Sequence, residues 1–305
     1  NIVRGGMIGI VELVPGVSGG TIALIVGIYE RVVDSGHHVV SGLKHAVTGP
    51  DRLRGLLTHA RRAEWGLLLP LVAGMFTALL LLSGTMSSFV TDHPVAARSL
   101  FGGMVIASVV VPLLMIDRSS LQTGARRTSA VAVVLLAAVG AYWLTGLGSA
   151  EDMTDPNPLV IFLAAAVAVC ALVLPGVSGS FFLLAIGLYA ATTRAVSELD
   201  LGYIATFGVG ALFGLVSFVQ LVHWLLHRHH TLTMLVMAGL MLGSLRALWP
   251  WQGPGREPLP PEAGWLPMFG LMVLGAAVVA GLTVVDQLRD RQVAGEVVPV
   301  SDDEA

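Results

Sequence analysis

Charge is scarce in this chain. Asp, Glu, Lys and Arg make up 12% of its 305 residues, against roughly 25% in soluble domains. With 55% hydrophobic residues and a mean hydropathy of +0.80, the shortage excludes a soluble globular protein and predicts many membrane spans. The net charge of -3 lacks the basic excess of a nucleic-acid binder, so no such partner is expected. A single cysteine, Cys170, excludes an intramolecular disulfide; in its apolar run it reads as a small helix filler. No Gly-x-x-x-x-Gly-Lys-[Ser/Thr] phosphate loop occurs, so ATP-driven transport by this chain alone is not expected. No signal-peptide pattern is visible, and because the chain starts at Asn1 a few leading residues are expected to be missing. Glycine, by contrast, is plentiful, with 36 copies, as close helix packing and broken helices require.

A spanning helix needs about 20 mostly apolar residues. The stretches 66–83, 99–116, 128–147, 203–226, 232–249 and 266–285 qualify. Two further stretches, 5–29 and 159–190, each have an apolar arm, a Pro-Gly-Val-Ser-Gly break and a second arm of about ten residues. Ten helical residues rise about 15 Å, half a bilayer, so both read as re-entrant hairpins folded back near the midplane. The segment 30–65, with Arg31, Lys44, Arg52, Arg54, Arg61 and Arg62, reads as a basic cytoplasmic loop. The loops 117–127 and 227–231 also read as inside, and the acidic loop 148–158 as outside. These assignments agree only if each hairpin returns to the side it left.

The break recurs. Leu13-Val14-Pro15-Gly16-Val17-Ser18-Gly19-Gly20 matches Val173-Leu174-Pro175-Gly176-Val177-Ser178-Gly179-Ser180 at an offset of 160. Ile25 to Tyr29 matches Ala185 to Tyr189 at the same offset, and Gly103 to Ser108 matches Gly239 to Ser244 at an offset of 136. Each half is thus a hairpin plus three spans, and an odd number of spans turns the second copy upside down. The expected fold is an all-α polytopic membrane protein with an inverted-topology repeat. Residues 1–147 and 148–288 are the two repeats, and 289–305 is an acidic cytoplasmic tail.

Proline ends the first arm of each hairpin, glycine permits close approach, and Ser18 and Ser178 are placed to cap the second arm. A capped helix start presents N–H groups and positive dipole, which suit a phosphate or carboxylate. Thr21 and Ser180 can add hydroxyls. The candidate substrate-binding residues are therefore Pro15, Gly16, Ser18, Gly19, Gly20 and Thr21, with Pro175, Gly176, Ser178, Gly179 and Ser180. The competing reading is a motif in which glycines merely let helices touch.

Charges in apolar segments are costly and usually functional. Glu12 lies three residues before Pro15, and the second copy has Leu172 there. It suits a proton carrier, a partner for an arginine, or a switch that repels the anion when ionised. Arg246, beside Trp249-Pro250-Trp251, and Arg98 are candidates to meet an anionic headgroup at the outer surface, or to snorkel there. The His227-Arg228-His229-His230 cluster lacks Cys or carboxylate neighbours in sequence, so it reads as a basic turn, and no metal or cofactor is expected beyond a coupling proton or ion.

The segments from Glu12 to Thr21 and from Leu174 to Ser180, with Gly27-Ile28-Tyr29-Glu30 and Gly243-Ser244-Leu245-Arg246, resemble the bacterial PopT-type polyprenyl-phosphate transporters. The likeness covers nearly the whole chain. That family often has Asp where this chain has Glu12. The resemblance implies return of undecaprenyl phosphate, or a similar polyprenyl phosphate, from the outer to the inner leaflet of the bacterial plasma membrane, for reuse in peptidoglycan and other envelope polymers. Three alternatives stand beside it: an intramembrane lipid phosphatase, disfavoured because no His lies near either motif in sequence; a small-anion carrier; and a structural scaffold. A homo-oligomer is compatible with all of them.

Overall fold

The computed structural model describes residues 1–12, 18–48, 52–146, 153, 156–175, 179–253, 257–262 and 264–296. The first half contains α1 (Ile2–Glu12), α2 (Gly19–Ile25), α3 (Tyr29–Thr48), α4 (Arg52–Arg62), α5 (Trp65–Asp92), α6 (Pro94–Ser108), α7 (Val110–Leu114) and α8 (Gly124–Gly146). The second contains α9 (Pro158–Val173), α10 (Gly179–Ala185), α11 (Tyr189–Ser197), α12 (Leu201–Arg228), α13 (His230–Ser244) and α14 (Leu266–Glu296).

Among the described residues, five stretches are long and apolar enough to cross a bilayer: Trp65–Leu82, Pro94–Leu114, Gly124–Gly146, Leu201–Arg228 and Leu266–Val285. Leu80, Leu136 and Trp143 are 80%, 73% and 70% exposed, which is tolerable for a helix surface bathed in lipid and not for one bathed in water. The chain is a multi-pass membrane protein.

Three expectations need correction. The stretch 232–249 is not one spanning helix. α13 stops at Ser244 after 15 residues, about 22 Å of rise. There the Ser244 hydroxyl donates to the Met241 carbonyl at 2.8 Å, and the amides of residues 245–249 bond to carbonyls three residues back, so the chain tightens into turns. The segment 30–65 is mostly helix, because α3 and α4 pack as a pair on which Gly42 faces His59 and Gly55 faces His45. The second arms, α2 and α10, have seven residues each, not about ten.

Local geometry recurs at the offsets seen in the sequence. Gly27 and Gly187 have φ of 66° and 75°, a region cheap only for glycine. The next amides bond back alike, Ile28 to the Ala23 carbonyl at 2.9 Å and Leu188 to the Leu183 carbonyl at 2.8 Å. His93 and His229 join consecutive helices with φ of -129° and -134°. Gly74 lies against the Ile2 carbonyl and Gly210 against that of Phe162; Gly103 lies against Met272 and Gly239 against Val134. These glycines bring backbones into contact, which supplies dispersion where lipid removes the hydrophobic drive between helices.

The same contacts set direction. Gly5 meets Leu71 and Gly9 meets Met75, so α1 runs alongside α5 in the same sense. Phe162 meets Gly210 and Ala166 meets Gly214, so α9 runs alongside α12. The start of α5 and the end of α12 both reach α3, through the Glu64 amide donating to the Ser35 hydroxyl and through His223 facing Asp34. α1 and α9 therefore enter from opposite ends of the bundle, and their inner ends approach one another.

Arg31 forks onto Glu64 at the head of α5. The hydrogen bond from the guanidinium holds the Glu64 carboxyl below its usual range. A depressed folded-state pKa stabilises above the unfolded value, and that contribution disappears as pH falls through the folded one. Both side chains are about half exposed, so Arg31→Gln should cost less than about 1 kcal/mol at neutral pH. The difference should vanish in thermal melts below the carboxylate range.

Candidate functional site

α2 sits at the centre, with all seven residues buried. Ser18 caps it, its side-chain oxygen accepting from the Gly20 amide at 3.2 Å, while the Thr21 amide donates to the Ser18 carbonyl at 2.9 Å. Ser18 and Thr21 are each 1% exposed. Glu12, the last residue of α1, turns back so that its Oε1 accepts from the Gly19 amide at 2.7 Å. This is the position an anion would take at a helix start. Part of the donor set expected for substrate is thus engaged by the protein's own carboxylate and serine.

The second copy meets this point directly. A Cβ on Gly20 would lie 2.6 Å from the Val173 carbonyl oxygen and 3.4 Å from the Pro175 nitrogen. The Tyr29 hydroxyl donates to the same Val173 carbonyl at 3.3 Å, a contact that no sequence reading anticipated, although Tyr29 and Tyr189 were visible as part of the repeat. Pro175 is buried, and Gly179 lies tightly against the Ala168 carbonyl. Pro15, Gly16, Gly176, Ser178 and the Ser180 side chain lie outside what is described.

The two arginines lie elsewhere, at the end of the bundle where α6 begins and α8 ends. Arg98 donates to the Pro250 carbonyl at 3.1 Å. Arg246 donates to the Tyr142 carbonyl at 3.3 Å, covers the Tyr142 ring at 4.5 Å and fills the space beside Gly146. Its Nε is buried without a hydrogen-bond partner among the described residues. The histidines also differ from expectation, because the fold supplies the carboxylates that the sequence neighbourhood lacks. His230 Nε2 lies 2.8 Å from Glu30, and His223 and His227 face Asp34.

Comparison with known proteins identifies relatives by sequence. Residues 8–257 match the family model described as undecaprenyl phosphate translocase-like. The chain is 35% identical over 249 residues to a polyprenyl-phosphate transporter of Vibrio cholerae, covering 82% of this chain and 77% of the relative. It is 29% identical over 259 residues to a polyprenyl-phosphate transporter of Staphylococcus aureus, covering 82% of this chain and 86% of that one. No solved structure matches significantly.

Proposed function

The chain belongs to the undecaprenyl phosphate translocase-like family and is a transporter rather than an enzyme, and we propose that it returns undecaprenyl phosphate, or a similar polyprenyl phosphate, from the outer to the inner leaflet of the bacterial plasma membrane. The cargo would then re-enter envelope polymer synthesis. The observation that carries the reading is the meeting of the two hairpins beside their breaks, with Gly20 against the Val173 carbonyl and the Pro175 nitrogen. In this reading the halves 1–147 and 148–288 form an inverted-topology repeat whose hairpins are re-entrant. The basic segment 30–65 faces the cytoplasm by its charge, and the tail 289–305 lies on the same side.

The phosphate docks at the hairpin tips while the prenyl tail stays in lipid, and the halves move around that site to expose it alternately. Ser18, Gly19, Gly20 and Thr21 supply one face; Pro175, Gly176, Ser178, Gly179 and Ser180 supply the other, with Pro15 and Gly16 shaping the turn. Glu12 already holds the Gly19 amide. A phosphate needing that donor has to displace the carboxylate, and loss of its charge by protonation eases the exchange, which is how Glu12 would couple transport to protons. Arg98 and Arg246 would meet the headgroup on entry, before it reaches the tips.

The test is depletion in cells. Outer-leaflet polyprenyl phosphate should accumulate, wild type should clear it, and Ser18→Ala combined with Ser178→Ala should not. Full clearance by a normally expressed double variant rules out the hairpin-tip site. Preferential binding of inorganic phosphate by the purified protein would instead favour a small-anion carrier.

A further inference from the structure

Away from the hairpins, two helices present paired ligand-type side chains to each other. Asp34 and His37 stand about one turn apart on α3, and His223 and His227 one turn apart on α12. His227 Nδ1 lies 2.9 Å from the His223 carbonyl oxygen. A carbonyl can only accept, so Nδ1 carries the proton and donates, and Nε2 of the neutral ring is left with a lone pair. That tautomer is the one a metal-binding histidine adopts when its other nitrogen is tied to the backbone.

Nε2 of His227 lies 3.9 Å from Asp34 Oδ1, and Nε2 of His223 lies 3.6 Å from the same oxygen. Both separations are too long for a hydrogen bond. They are close to the edge of a tetrahedron built with zinc-to-ligand bonds of about 2.0–2.1 Å, which is about 3.4 Å. Asp34 Oδ1 is buried without a hydrogen-bond partner among the described residues, and so is His37 Nδ1. The His37 ring stacks on His223 at 3.7 Å with the planes 7° apart, which steadies the ligand ring. One ligand atom from each of Asp34, His223 and His227 lies within 4.8 Å of the others.

We propose that Asp34, His223 and His227 form a binding site for a divalent transition cation of the Zn2+ class. Three electron-rich atoms converge there, and a cation between them satisfies the buried carboxylate oxygen and both imidazole lone pairs. The pair of histidines favours a borderline ion over Mg2+ or Ca2+, which take oxygen ligands. Arg228 lines the adjoining pocket with His37, Gln220 and Trp224. Three protein ligands leave a fourth position for water. Because the ligands come from α3 and α12, the ion ties the helical pair of the first half to the first long helix of the second. The sequence hides the site, since its carboxylate comes from a segment far away in the chain.

The test uses the full chain in detergent, freed of any polyhistidine tag and dialysed against EDTA. On titration with ZnCl2 and desalting, wild type should retain one Zn2+ per chain and melt at a higher temperature than the stripped protein. With CoCl2 it should show the visible absorption of a four-coordinate nitrogen and oxygen site. His223→Gln with His227→Gln should weaken binding by at least about tenfold, the size seen even for outer-shell partners. His38→Gln with His59→Gln, on the neighbouring histidine group, should leave it unchanged. The cobalt spectrum is read on wild type, so it does not depend on how the variants fold. Absence of a retained ion and of the cobalt bands in wild type overturns the site, as does equal affinity in a His223/His227 variant that elutes like wild type.

Discussion

Leucine in place of Gly103 should sharply destabilise the protein. A Cβ there would fall on the Met272 carbonyl of α14, so the obstacle is backbone and no rotamer change relieves it. Overpacking ordinarily costs about 1–3 kcal/mol, and a clash with the main chain lies at or beyond the top of that range. Against a total stability of about 5–15 kcal/mol, the result should be poor yield, aggregation in mild detergent and a sharply lowered melting temperature. Gly239→Leu should behave alike, since Gly239 lies against the Val134 carbonyl in the corresponding contact. Gly84 and Gly140 have nothing within 4 Å of a built Cβ. Gly140→Ala on α8 should be neutral, or stabilising by up to about 1 kcal/mol through helix propensity. If Gly103→Leu melts like Gly140→Ala, the α6–α14 contact is wrong.

Glu12→Leu is expected to have the largest effect on transport. It installs the residue type that the second copy carries at Leu172, and it removes the acceptor of the 2.7 Å bond from the Gly19 amide. A bond to a charged group contributes about 1.5–3 kcal/mol, and the amide left behind is buried. The protein should melt lower and lose at least about tenfold in translocation, the equivalent of about 1.4 kcal/mol in a barrier. Glu12→Gln separates the two roles, because it keeps an acceptor for Gly19 and loses the titrating group. It should fold like wild type and transport slowly in proteoliposomes carrying polyprenyl phosphate. A Gln variant that turns over at the wild-type rate would make Glu12 a cap for α2 and remove it from proton coupling. Glu12→Asp keeps a carboxylate and should retain activity between those of wild type and Gln.

Much of this architecture was legible without coordinates, for local reasons. Bilayer insertion follows from hydropathy summed over about 20 residues, and four of the expected spans appear as single long helices, with another, 99–116, carried by α6 and α7. Where a helix must break follows from proline's missing N–H and glycine's open torsions. For that reason Gly27 and Gly187 could be paired from the sequence and share a positive φ in the structure. Ser18 could be named as a cap because the bond it makes spans two residues.

Other features depend on which helix lies beside which, and a residue's own neighbours do not encode that. α13 ends at Ser244 although apolar sequence continues, because the chain tightens into turns where Leu248 packs on Gly102. The charged segment 30–65 is helical because α3 and α4 cross closely at Gly42 and Gly55 and α3 lies on α12. Hydropathy reports only that such a segment stays out of lipid. That the Gly19 amide is held by Glu12, and that Asp34 faces His223 and His227, required the folded backbone to bring distant side chains within a few ångströms. The sequence alone determined a doubled, broken-helix membrane protein, since those properties reside in short stretches of chain. Tertiary structure alone decided which donors at the break are already engaged and which histidines have a carboxylate to face, since both depend on helix packing.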